Sequence, residues 1–307
     1  MSVALFTHPA ALGHDTGPEH PECADRLRYV LRALEAQEFE PLLREQAPQA
    51  SADQLKAAHD ADYVEAILAM PQDRVTTIDG DTVFGPGSLE AALRAAGGAC
   101  AAVDAVMEGW AQAAFVAMRP PGHHAESDRA MGFCFFNNAA VAARHAQRGW
   151  GLKRVAIVDF DVHHGNGTQQ IFAHDAGVMY ASSHQAPCFP GTGAQAETGV
   201  GNVVNVPLPP GTTGEAFREA WRTAILPRLA AFAPEILIIS AGFDAHAADP
   251  MAQMRLKEAD FTWLTRELLA VADASCPGRV VSLLEGGYDL NALAQSCAAH
   301  VRALMRL

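Results

Sequence analysis

Short apolar runs punctuate this chain, and within each the apolar residues are continuous rather than alternating. They are Val3–Thr7, Phe115–Arg119, Val155–Asp161, Val178–Ser183, Val203–Leu208, Ile236–Ser240 and Val280–Leu284. A strand apolar on both faces must be covered on both faces, which implies a parallel sheet between layers of helix. The intervening segments supply helices, many of them Ala-rich: Ala24–Ala36, Ala61–Ala69, Leu89–Glu108, Asn137–Arg148, Gly214–Ala231, Glu258–Ala272 and Asn291–Met305. The pattern predicts an α/β protein. No internal repeat or low-complexity linker interrupts the 307 residues, so 1–307 reads as one domain.

Ligands of such sheets bind beyond the carboxyl ends of the strands. Polar clusters should therefore follow the apolar runs, and they do: RPPGHH (119–124), DFDVHHGNG (159–167), SAGFDAH (240–246) and LEGGYD (284–289). Far apart in sequence, these four would meet on one edge of the sheet.

The second cluster drives a strand into two carboxylates and two imidazoles, groups rarely buried unless paired or bound to metal. In an extended segment Asp161 and His163 point the same way, so both can reach one ion. Asp244, at the end of another apolar run beside Gly242, is the best third ligand. Two carboxylates and one imidazole leave an open position, as catalytic metal sites do. The plainer reading of the motif is a strand-end Asp capping a helix, with His163 packed nearby.

His123 and His124 follow a Pro-Gly turn. Adjacent imidazoles cannot easily share one ion, but they can flank a water as base and acid. Asp159 and Asn166 are the partners expected to fix one ring each. Tyr288 follows Gly286-Gly287 and could donate to an oxyanion. Phe133, after Gly132, and Phe189 could wall an apolar channel; ordinary core packing is the alternative for all three aromatics. Cys134 and Cys188 read as buried thiols.

Composition excludes other classes. With 35 acidic against 22 basic residues, a net charge of −13 and no Lys/Arg tract, nucleic acid is not an expected partner. No apolar run has membrane-spanning length, and the N-terminal segment lacks a basic signal-peptide region. Six scattered cysteines without a C-x-x-C fit reduced thiols in the cytoplasm.

Together RPPGHH, GFCFFNN, DFDVHHGNGTQ, FPGTG, SAGFDAH-ADP and EGGYDL resemble the histone deacetylase superfamily, in its class II-like branch of bacterial deacetylases and acetylpolyamine amidohydrolases. The likeness runs from GPEHPECADRL (17–27) to EGGYDL, nearly the whole chain. It implies a three-layer arginase/deacetylase-like fold with an approximately eight-stranded, mainly parallel sheet. It also implies a zinc-dependent amidohydrolase that removes acyl groups from lysine side chains or related amines. By the same resemblance Asp161, His163 and Asp244 would hold Zn²⁺, and His123 and His124 would be the tandem histidines, with His124 as base and acid. Tyr288 would polarise the amide carbonyl. Phe133, Phe189, Gly132, Met251 and Gly287 would line the substrate tunnel. A structural K⁺ would touch Asp159, Asp161 and Ser182, and Arg26 would sit on the acetate exit path. Asn166, where class I members carry Asp, supports the class II assignment.

Rivals remain. A two-manganese ureohydrolase shares the fold, and Asp244-Ala245-His246 is superficially similar to its D-x-H motif. Yet His164 and His246 stand where further carboxylates are needed. A non-catalytic metal- or acyl-binding module would need a gap in the catalytic set, and none is found. Within the family the amine could belong to a protein lysine, a polyamine or another small molecule. Met251, apolar where polyamine-specific relatives tend to carry an acid, favours acyl-lysine. A homo-oligomer is left open.

Overall fold

Burial at every position explains the central strands. VAIVD at 155–159, ILIISA at 236–241 and VVSLL at 280–284 expose nothing on either face. The structure, a computed structural model, describes residues 1–307. Its strands are β1 (Val3–Thr7), β2 (Leu43–Gln46), β3 (Thr76–Thr77), β4 (Val83–Phe84), β5 (Ala113–Val116), β6 (Val155–Asp159), β7 (Val178–Gln185), β8 (Val203–Leu208), β9 (Ile236–Ala241) and β10 (Val280–Leu284). Eight of them form one sheet, in the order β2-β1-β5-β10-β9-β6-β7-β8. Every pair in it is parallel. β3 and β4 make a separate antiparallel hairpin.

Helices cover both faces. Ser88–Glu108 packs on Asn138–Trp150 over the β5-β10-β9-β6 region. Elsewhere Leu290–Leu304 packs on both Ala24–Ala33 and Glu258–Ser275. Apolar residues from Val3 to Met305 join in one continuous buried cluster. The expected α/β sandwich with an eight-stranded parallel sheet is thus found. No helix is long and apolar enough to cross a membrane.

Boundaries moved where tertiary structure overruled the local pattern. β2 had no apolar signal, because its sequence is LREQ and all four residues are exposed; it exists only as an edge paired to β1. The expected run Phe115–Arg119 forms its strand two residues earlier, at Ala113–Val116. The helix expected at Gly214–Ala231 contains a wide turn at Trp221–Ile225 before resuming at Leu226. Pro227 lacks the N–H that a regular turn would use there.

The order of strands matters most for the site. β5, β10, β9 and β6 are adjacent at the centre. The four polar clusters follow these four strands, so the topology brings them to one edge.

Candidate metal centre and active-site pocket

β6 stops at Asp159, so Asp161 and His163 lie in the turn beyond it and not on an extended strand. Their convergence comes from an Asx turn: the His163 N–H donates to Asp161 Oδ1 at 2.9 Å. Asp244 arrives from the end of β9 and accepts the Val162 N–H at 2.8 Å. His163 Nδ1 lies 3.1 Å from both Asp161 Oδ1 and Asp244 Oδ2. One ligand atom from each residue falls within 4.8 Å of the others, and all three residues are buried.

This donor set fits a divalent cation. Burial first, and then the Asp161 charge, push the Asp244 carboxyl up to about 7. Two carboxylates crowded away from water require positive charge between them. The backbone leaves room for it. A Cβ on Gly286 would stand 2.2 Å from Asp244 Oδ2 and 2.5 Å from Asp161 Oδ2. Oxygen and imidazole donors with only three protein ligands suit a catalytic ion that keeps an open position.

The turn after β5 supplies the histidine pair, whose rings lie 4.0 Å apart between centroids. His123 Nδ1 is 3.0 Å from Asp159 Oδ2, an oxygen that also accepts the Tyr180 hydroxyl at 3.0 Å. Burial opposes charge on His123, but the Asp161 and Asp159 carboxylates outweigh it and lift the ring to about 10. His124 Nδ1 is 2.8 Å from Asn166 Oδ1. Burial, and then the facing His123 and His163, push His124 well below its ordinary value, so it is neutral. One ring thus faces carboxylates and the other faces an amide oxygen and two imidazoles, a difference in surroundings suited to general acid and base work.

A residue that sequence reasoning missed supports this turn. Glu285, the first residue after β10, is fully buried. Its Oε2 accepts the N–H groups of Gly122 at 2.7 Å and His123 at 3.2 Å, and its Oε1 accepts the Ser240 hydroxyl at 2.9 Å. A charged residue directly after an apolar strand was the available signal, and it stood in plain view in LEGGYD.

Above the trio lies a pocket of about 110 Å³ lined by Asp81, Pro121, His123, His124, Gly132, Phe133, His163, Phe189, Met251 and Tyr288. Phe189 stands edge-on to His124 at 5.1 Å, and Phe133 edge-on to Tyr288 at 5.9 Å. Phe189 remains 43% exposed, which marks the mouth. Asp81, from the loop between β3 and β4, was not expected; nothing in IDGDT announces a wall. Gly287 was expected on the wall but is buried behind it. Its φ of 127° accompanies a carbonyl that accepts Arg26 Nε at 2.6 Å.

Arg26 is fully buried, with its guanidinium carbon 4.8 Å from the Tyr288 ring centroid. It also donates to Glu22 Oε1 at 2.9 Å, and Arg119 donates to both oxygens of the same carboxylate. Sequence reasoning missed Glu22 and Arg119. Ser182 pairs in register with Asp159 across β6 and β7, and its hydroxyl lies 2.9 Å from His184 Nδ1.

His164 and His246 turn elsewhere. The first bonds Thr192 and Gln169; the second faces Glu258 at 3.4 Å. Cys134 is buried, which raises its thiol far above the ordinary value and keeps it protonated.

Comparison with known proteins points one way. The family model for the histone deacetylase domain matches residues 20–304. A Pseudomonas aeruginosa protein named histone deacetylase-like amidohydrolase is 42% identical over 288 residues, spanning 92% of this chain and 74% of its own length. A probable deacetylase of Archaeoglobus fulgidus is 38% identical over 297 residues, spanning 94% and 82%. Among solved structures, the crystal structure of the HDA15 HD domain matches with a TM-score of 0.93 at 35% identity, covering 99% of this chain and 88% of that one.

Proposed function

The chain belongs to the histone deacetylase family, and from that premise we propose that residues 1–307 are a single zinc-dependent catalytic domain that hydrolyses the amide of acylated lysine side chains. The observation that carries the reading is that the Asp161, His163 and Asp244 trio reaches one narrow, partly apolar pocket through His163. The pair His123 and His124 lines the same pocket. Asp161, His163 and Asp244 would hold a divalent ion, which would supply a Lewis acid for the amide carbonyl and for a water.

The protein's own groups do the rest. Phe133 and Phe189 hold an aliphatic stem and exclude water from it. Neutral His124 accepts the proton of the attacking water through the nitrogen that faces the pocket. Tyr288 donates to the carbonyl oxygen as negative charge develops there. His123, charged and braced by Asp159, keeps positive charge beside the reacting atoms. The His pair returns a proton to the departing amine, and carboxylate and free amine result. A K⁺ near Asp159, Asp161 and Ser182 would steady the turn that carries the ligands.

Acyl-lysine is favoured over acylated polyamine because Met251, an apolar side chain, lines the pocket. The second reading, an acetylpolyamine substrate, draws on Asp81, an acidic side chain in the same wall that could face a distal ammonium. A cytoplasmic enzyme acting on free or protein-borne amines, without nucleic acid, fits both. The deciding experiment is a substrate panel: acyl-lysine peptides of several chain lengths against acetylputrescine and acetylspermidine, with metal content measured in the same preparation. A large kcat/KM advantage for an acyl-lysine peptide with about one zinc per chain is expected. A large advantage for an acetylpolyamine would overturn the substrate assignment, and two manganese ions per chain would overturn the metal.

A further inference from the structure

Three consecutive residues of the segment carrying Tyr288 are each anchored by a different buried charge. The Gly286 N–H donates to Asp161 Oδ2 at 2.8 Å, the Gly287 carbonyl accepts Arg26 Nε at 2.6 Å, and the Tyr288 N–H donates to Asp249 Oδ2 at 2.6 Å. Gly286 and Gly287 have no side chains to lock this backbone, so its path depends on the anchors. Asp161 has a second duty in the metal trio, and Arg26 in the ion network with Glu22. Asp249 has neither.

Asp249 is 7% exposed and bonds only backbone N–H groups. Oδ2 also accepts the Asp289 N–H at 3.1 Å, at the start of the Leu290–Leu304 helix. Oδ1 accepts the Met251 N–H at 3.0 Å. Tyr288 and Met251 both line the pocket. One carboxylate therefore ties two pocket walls together through charge-assisted bonds.

We infer that Asp249 is the positioning residue for Tyr288, fixing the phenol in the pocket wall and joining it to the wall formed by Met251. The inference rests on the reading in which the Tyr288 hydroxyl holds the carbonyl oxygen. An Asn at 249 has one acceptor oxygen and one amino group, so it cannot serve both arms, and a donor would face a donor in one of them.

A double-mutant cycle with an acetyl-lysine peptide tests this. Tyr288→Phe alone should lower kcat by roughly 10²–10³. Asp249→Asn alone should lower kcat by about tenfold or more, with KM within about threefold and metal content unchanged. In the Tyr288→Phe background, Asp249→Asn should cost less than about twofold, because the hydroxyl it positions is already gone. An equal loss in both backgrounds would overturn the inference alone and leave the Tyr288 reading standing. A Tyr288→Phe enzyme within a few-fold of wild type would overturn that reading and the inference with it. Should Asp249→Asn fail to fold, the same cycle is run with Asp249→Glu, whose longer carboxylate keeps the charge but displaces the N–H contacts.

Discussion

Asn166 presents its Oδ1 to Nδ1 of His124 at 2.8 Å, while its Nδ2 donates to Glu126 Oε1 at 2.8 Å. Glu126 thus fixes which end of the amide faces the histidine. A carboxamide oxygen can only accept, so Nδ1 of neutral His124 carries the proton and Nε2 is left as a bare base.

Replacing that oxygen with a charged one should retune the base. In Asn166→Asp, a carboxylate would accept the same N–H and favour the imidazolium, raising the His124 pKa. The unprotonated base then requires a higher pH, so the acidic limb of the kcat/KM profile should move upward by about one unit. A limb that stays in place or moves down would show that His124 is not the group titrating there.

Metal removal should silence the enzyme and soften it. Chelation is expected to abolish activity and Zn²⁺ to restore it. Asp161→Ala or Asp244→Ala should lose metal and activity together, since each supplies one of three ligand atoms. The melting temperature should fall on chelation, because an ion bound only by the folded state stabilises it. Full activity in a preparation shown metal-free by elemental analysis would refute the reading.

Gly132 tests the fit around His124. Its φ is 56°, and a Cβ there would lie 2.4 Å from His124 Cδ2. Gly132→Ala should cost roughly 1–2 kcal/mol for the left-handed backbone alone. It should also displace the ring, lowering kcat by roughly ten- to a hundredfold with metal retained. Wild-type kcat in that variant would mean that the ring position does not matter.

Acid stability follows from buried groups outside the metal trio. Burial lowers His14 and His59 from 6.5 to about 4 and His300 to about 3. Each is neutral when folded and takes up a proton more readily when unfolded. Their contribution is present in full above 6.5 and is lost as pH falls toward the folded values, by about 1.4 kcal/mol per pH unit per histidine. Glu22 extends the window. Burial opposes its charge, but Arg119 and Arg26 pull it from 4.5 down to about 2, so its contribution is lost between those values. Thermal melting across this range should show a steady fall starting below about pH 6.5; a flat profile down to pH 4 would contradict it.

The same division between local and tertiary causes separates what was legible in the chain from what was not. Continuous apolar runs require cover on both faces, so the parallel sheet could be read directly, and with it the edge where the polar clusters gather. The trio, the histidine pair and Tyr288 were legible because each stands in a polar cluster after an apolar strand, where a buried charge calls for a reason. β2 was not: LREQ is exposed, and its strand depends on pairing with β1. Arg119 and Asp81 were not either, because Arg119 meets Glu22 from 97 residues away and Asp81 meets the other pocket walls only in the fold; Glu22 was not, although Arg26 four residues on was a local partner. Gly287 was read as wall because a sequence cannot say which way a peptide turns. Sequence alone determined which ionisable side chains stand at strand ends, since residue type and strand-end position are local. Tertiary structure alone decided which charges neutralise one another, which ring faces Asp159 and which faces Asn166, and how the Tyr288 backbone is held, because those depend on distances between segments that meet only when the sheet closes.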